Sequence, residues 1–154
     1  MKKILMLLII LFGVSLAVSA HPGGGKPDAN KLKELREYKI KYLAQEMELS
    51  DAQKPKFVEL YNKLCDERLA NFKKMRDAEN RLKGKLSDAE YKSQMDIVND
   101  CKVRDSQLVK DYDAKFEKFL SAKQIYKMKE AEETFRNRMH EMHQQRKREK
   151  KEQR

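Results

Sequence analysis

Leu86-Ser87-Asp88-Ala89-Glu90, followed by Tyr91, Met95, Val98, Cys101, Leu108, Tyr112, Phe116 and Phe119, is the stretch that decides the fold. Ser87 to Glu90 has the form of a capping box. The serine hydroxyl accepts from the amide three residues on, and the carboxylate reaches back to the serine amide. The apolar residues behind it follow the three-four spacing of a buried helical seam. One long helix from about Asp88 to Phe119 is the predicted result.

The same device appears on either side, as Leu49-Ser50-Asp51-Ala52-Gln53 and Leu120-Ser121-Ala122-Lys123-Gln124. Three boxes, each opening an apolar periodic segment, predict four helices joined by very short turns. The first runs from about Lys31 to Glu48, with Leu32, Leu35, Tyr38, Tyr42 and Met47 on its stripe and Ile40 and Leu43 widening it. The second, about Asp51 to Leu82, carries Val58, Tyr61, Cys65, Leu69, Phe72, Met75 and Leu82, and the fourth, from Ala122, carries Ile125, Met128, Phe135, Met139 and Met142. Pro55 lies beyond the N1 position that suits proline, so a local irregularity is expected there.

At 1.5 Å per residue, helices 2 and 3 of about 32 residues would each reach roughly 48 Å. The fold class expected is therefore all-α, with two long and two shorter helices in an elongated, curved hairpin assembly. Composition agrees. The chain has 154 residues, of which 39% are charged, with five Gly, three Pro and no Trp. This suits one small helical domain and speaks against a β-rich or α/β fold.

Residues 1–20 read as a signal peptide. Lys2 and Lys3 precede an apolar run from Ile4 to Val18, and Val18-Ser19-Ala20 supplies the small residues of a cleavage site. Residues 21–30 hold Pro22, Gly23, Gly24, Gly25 and Pro27 and read as a flexible leader. The remaining 134 residues after cleavage would carry 33 basic and 25 acidic side chains, a net charge of +8. Only 37 of them are Leu, Ile, Val, Met, Phe, Tyr or Cys, too few for a thick core, so an elongated shape or a shared dimer core is expected. Export to the periplasm makes nucleic acid an unexpected partner. The positive charge is better matched to acidic protein segments or an anionic membrane surface.

Cys65 and Cys101 are the only cysteines, and both lie on apolar seams. An antiparallel hairpin turning between Gly84 and Lys85 would place residue 65 opposite residue 104, so that Cys101 is about 4.5 Å from opposition. A disulfide there would close a loop of about 37 residues and contribute about 3 to 4 kcal/mol. Reduced buried thiols and an intermolecular bridge are the alternatives.

Met139-His140-Glu141-Met142-His143 is the one cluster with ligand chemistry, since imidazole and thioether groups suit zinc or copper. Two histidines do not complete a specific site, and Met139 and Met142 also continue the helical seam. The tail, residues 144–154, has six basic and two acidic residues and is expected to be solvated and frayed, or to attract an acidic partner. No nucleophile with its base, paired carboxylates or phosphate-binding loop is recognisable, so neither an enzyme nor a cofactor is expected.

An exported, basic, all-helical chain with Leu49, Ser50 and Gln53 opening its second helix and Leu120, Ser121 and Gln124 opening its last resembles the Spy/CpxP family, whose members carry two LTxxQ motifs. Serine stands here where the family has threonine, and either hydroxyl can cap. The resemblance spans most of residues 31–143. It implies an antiparallel, cradle-shaped homodimer acting as an ATP-independent periplasmic chaperone for partially folded proteins or as an envelope-stress adaptor. A membrane sensor or anti-sigma factor would be the partner of an adaptor. A zinc- or copper-binding regulator of the same helical group is the alternative. No client-binding residues are assigned by the motifs.

Overall fold

The computed structural model describes residues 29–152, and every regular element among them is helical: α1 Ala29–Glu46, α2 Lys54–Arg81, α3 Asp88–Phe116 and α4 Ala122–Glu152. The expected signal segment lies outside the described residues, as does the leader through residue 28. Ala29 and Asn30, read as leader, form the first turn of α1.

The three serine boxes do not behave alike. At α3 the Ser87 Oγ accepts from the Glu90 amide at 3.4 Å, while Glu90 Oε2 accepts from the Ser87 amide at 2.8 Å, so the box is complete. At α4 the Ser121 Oγ accepts from the Gln124 amide at 3.2 Å and Gln124 Oε1 from the Ser121 amide at 3.0 Å. At Ser50 only half of the exchange forms. Gln53 Oε1 accepts from the Ser50 amide at 3.1 Å, but α2 starts at Lys54, with Gln53 itself as N-cap in αR geometry.

Pro55 explains this correction to the expected start at Asp51. A helix beginning there would need a Pro55 N–H that does not exist and would push the proline ring against the carbonyl four residues back. Starting at Lys54 moves the proline into the first turn, where no amide is needed. Residues 51–53 become a turn, in which the Ser50 carbonyl accepts from both Gln53 and Lys54.

α1 ends in a Schellman arrangement. Glu48 has φ 53°, its amide donates to the Gln45 carbonyl, and the Leu49 amide donates to the Ala44 carbonyl. This left-handed step turns the chain so that Leu49 enters the core with 6% exposure.

The helices α2 and α3 form an antiparallel hairpin packed along its length, α1 lies on α4, and α1 touches α2 more lightly. The core sits where all four meet. Leu43, Met47, Phe57, Tyr61, Leu108 and Phe116 are its largest buried side chains, with Leu49 and Leu120 closing it at the helix ends. The Phe57 ring lies 5.3 Å from Tyr61 and 5.8 Å from Phe116, distances typical of attractive aromatic pairs.

Two further expectations are corrected. The arrangement is one short helix and three long ones, because α4 runs for 31 residues. The segment 144–154, expected to fray, continues α4 as far as Glu152, since its Gln, Arg, Lys and Glu are good helix formers and no Gly or Pro stops it. The apolar seams also outrun the core: Leu32, Leu35, Tyr38, Leu69, Phe72, Met95 and Met142 remain exposed.

Candidate functional site

The motif residues of the second and fourth helices meet. Leu49 and Leu120 are buried in the same core, and Gln53 and Gln124, 71 positions apart, exchange side-chain hydrogen bonds. Gln53 Nε2 donates to Gln124 Oε1 at 3.2 Å, and Gln124 Nε2 donates to Gln53 Oε1 at 3.1 Å. Each amide oxygen also accepts from its own motif serine amide. Gln53 Nε2 donates further to the Phe119 carbonyl at 2.9 Å, which ties the α1–α2 connection to the α3–α4 connection. This end of the molecule is therefore a structural clasp.

Away from the clasp the four helices part to leave an open groove of about 640 Å³. Its apolar surface comes from Leu32 and Leu35 of α1, Leu64, Leu69, Phe72 and Met75 of α2, and Phe135 of α4. Leu32 is 51% exposed, Leu69 42% and Phe72 46%, so the surface is open to solvent. These are seam residues, spaced as if to be buried, at positions where no described helix covers them.

Charged groups line the same groove. Arg36, Lys39, Arg68 and Lys102 supply cations and Asp105 and Glu132 anions. Arg68 makes a bidentate pair with Asp105, its Nε and Nη2 donating at 2.8 and 2.9 Å. Arg36 Nη1 donates to Asp66 at 2.6 Å and Lys39 Nζ to Glu132 at 3.0 Å. Lys102 forms no ion pair among the described residues.

At the wall of the groove lies a partly buried polar joint. The Tyr61 hydroxyl donates to Glu132 Oε1, the same oxygen that accepts from Lys39, so one carboxylate joins α1, α2 and α4. Burial, reinforced by the neighbouring Glu132 charge, pushes the Tyr61 hydroxyl far above the ordinary tyrosine range. Tyr112 donates to Glu67 Oε1 at 2.6 Å and is pushed up to about 12, mainly by burial and then by that carboxylate.

Both cysteines line the groove, and both are free thiols. The hairpin register separates them. Arg68 faces Asp105 and the Asn71 amide donates to the Cys101 carbonyl at 2.7 Å, so Cys101 stands opposite residue 71, about 9 Å of helix rise from Cys65. The 4.5 Å offset expected from the sequence rested on a turn centred too early. Burial raises the Cys65 thiol above its ordinary value, which disfavours the reactive thiolate.

The Met-His cluster sits on the part of α4 that has left the bundle. His140, Met142 and His143 are exposed, Met139 is half-buried, and His140 pairs with Gln144 at 3.2 Å. Among the described residues no group of three or more His, Cys, Asp or Glu side chains is placed to hold a metal ion. No described helix is long and apolar enough to cross a membrane.

Sequence reasoning missed the glutamine pair and the groove. Two pentapeptides that share Leu, Ser and Gln at the same spacing hinted at the first, and a seam pattern longer than the available core hinted at the second. Compared with known proteins, the chain matches no family model, no curated protein and no solved structure.

Proposed function

We propose that this chain is an exported, ATP-independent chaperone or stress adaptor that holds partially folded proteins in the groove between α1, α2 and α4. One observation carries the reading: Leu32, Leu35, Leu69 and Phe72 form an uncovered apolar surface lined by Arg36, Lys39, Arg68 and Lys102. Such a surface favours exposed apolar segments with acidic neighbours and asks for no defined shape in return. Met75 at its edge adapts to different occupants without a large packing cost.

The Spy/CpxP resemblance of the paired motifs supports the same reading and adds an antiparallel dimer. Met95 and Val103, exposed on α3, are candidate contacts for a second copy. The reading assigns no reaction to the chain.

The deciding experiment dilutes a chemically denatured client into buffer with an equimolar amount of the protein, without nucleotide, and follows light scattering. Suppression is expected, weakening as salt rises. Phe72→Glu, at an exposed position, is expected to reduce suppression at least fivefold while its melting temperature stays within a few degrees of the parent. Absence of suppression at any salt concentration overturns the chaperone reading.

A further inference from the structure

The uncovered groove opens where the described chain begins. α1 starts at Ala29, and Leu32 and Leu35 already line the groove beside Leu69, Phe72 and Met75 of α2. From Ala29 to Leu32 the helix rises only about 4.5 Å. Whatever precedes Ala29 is therefore attached within one helical turn of this apolar surface.

What precedes it in sequence is the most apolar stretch of the protein. Ile4 to Val18 is a run of 15 residues without a charge, and the ten residues Ser19 to Asp28 join it to Ala29. That tether can reach roughly 33 Å at full extension. The apolar wall of α2 from Leu64 to Met75 is about 16 Å long, and 15 residues measure about 22 Å even when coiled as a helix. The run is long enough to cover the wall, and the tether is long enough to bring it there. A segment held by so short a tether is present at an effective concentration of about millimolar, well above that of a separate partner at micromolar concentration.

The charges of the groove are compatible with such an occupant. Arg36 is paired with Asp66, Lys39 with Glu132 and Arg68 with Asp105, so these cations are already met within the fold. Lys102, which has no ion pair among the described residues, is exposed and keeps its water. A charge-free run leaves all three pairs in place. It also takes the open faces of Leu32, Leu69 and Phe72 out of water together with its own apolar surface, which is the favourable exchange for both.

We propose that, while residues 1–20 remain attached, the apolar run Ile4 to Val18 folds back into the groove between α1, α2 and α4 and covers it. Removal of residues 1–20 then uncovers Leu32, Leu69 and Phe72. The covering does not require that clients bind in the groove. Its consequence, that client holding starts only after cleavage, rests on the chaperone reading.

The full chain and residues 21–154, which retain all four helices, are compared at micromolar concentration without detergent. Cys65 lines the groove and serves as reporter. Its alkylation by a maleimide, read from the mass of the peptide that contains it, is expected to be at least fivefold slower in the full chain. Leu8→Glu combined with Leu11→Glu in the full chain should restore the faster rate, because a charged run is costly to bury against apolar side chains. Photoreactive p-benzoylphenylalanine at position 72 should form adducts within residues 4–18 of the same molecule, migrating as a monomer at every dilution. Matching melting temperatures ensure that folded bundles are being compared. Equal alkylation rates in the folded proteins overturn the proposal. Adducts formed only between molecules also overturn it and would identify a second copy as the occupant. Protection of Cys65 together with no aggregation suppression by residues 21–154 would support the covering and overturn the chaperone reading alone.

Discussion

Gln53 and Gln124 hold each other through two hydrogen bonds between their side-chain amides, at 3.1 and 3.2 Å, although 71 positions separate them. Each glutamine oxygen also receives the amide of the serine three residues earlier. A motif that begins as local helix chemistry is thus completed by tertiary structure. The two connections of the bundle are fixed to each other at the point where the core ends.

The pair should be energetically coupled. Gln53→Ala and Gln124→Ala are each expected to cost about 1 to 2 kcal/mol, since each leaves its partner amide short of hydrogen bonds in a partly buried place. The double variant should cost less than the sum of the two by about 0.5 to 1.5 kcal/mol. Urea denaturation of the four proteins in the cycle measures this; strict additivity would show that the clasp contributes nothing beyond its two halves.

The three serines should separate in the same assay. Ser87→Ala and Ser121→Ala each remove an acceptor that caps a helix amide, at about 1 kcal/mol. Ser50→Ala should cost only a few tenths, because no α2 amide donates to the Ser50 hydroxyl and its backbone amide still reaches Gln53. A loss at Ser50 equal to that at Ser87 would contradict the start of α2 at Lys54.

These pairs show what was legible in the sequence and what was not. The helices around Ser87 and Ser121 could be read because a capping box is a local exchange across three residues. Ser50 opens the same kind of box, but Pro55 decides its fate, and the cost of a proline in the first or second turn depends on which residue starts the helix. The seam residues announced helices and a core without saying where the core ends. Leu69 and Phe72 follow the same period as Tyr61, yet only Tyr61 has neighbouring helices on enough sides to be buried. The cysteine register failed for a related reason: a turn misplaced by two residues moves the opposing positions by four.

Glu132 should be more costly to lose than the tyrosine it serves. Tyr61→Phe removes one donor and leaves the carboxylate with Lys39, a loss of about 1.5 kcal/mol. Glu132→Ala strands both the buried Tyr61 hydroxyl and the Lys39 ammonium, and is expected to cost about 2 to 3 kcal/mol. Thermal or urea unfolding of the two variants ranks them, and the reverse order would mean that Glu132 is not what satisfies the Tyr61 hydroxyl.

Alkaline pH should unfold the protein earlier than its tyrosine-free features suggest. Tyr61 and Tyr112 both titrate above the ordinary value of 10.0 when folded, so the folded state keeps protons that the unfolded state releases. Their contribution is complete below about pH 10 and declines as pH rises, for Tyr112 through the interval up to about 12. The denaturation midpoint should therefore fall between pH 10 and 12, and less steeply in Tyr112→Phe. An identical slope in that variant would show that the tyrosine is not responsible.

Phe116 and Phe72 provide the sharpest separation between folding and binding, being the same residue type on one hairpin. Phe116 is 0% exposed, within ring contact of Phe57, Tyr112 and Phe119, and Phe116→Ala should cost about 3 to 5 kcal/mol. Phe72 is 46% exposed in the groove, where alanine opens no enclosed cavity, and Phe72→Ala should cost less than about 1 kcal/mol. If the groove is where clients bind, the order reverses for aggregation suppression per folded molecule: Phe72→Ala loses much of it, while Phe116→Ala, measured well below its lowered melting temperature, keeps it. Stability and suppression falling together at both positions would place the binding surface elsewhere on the molecule.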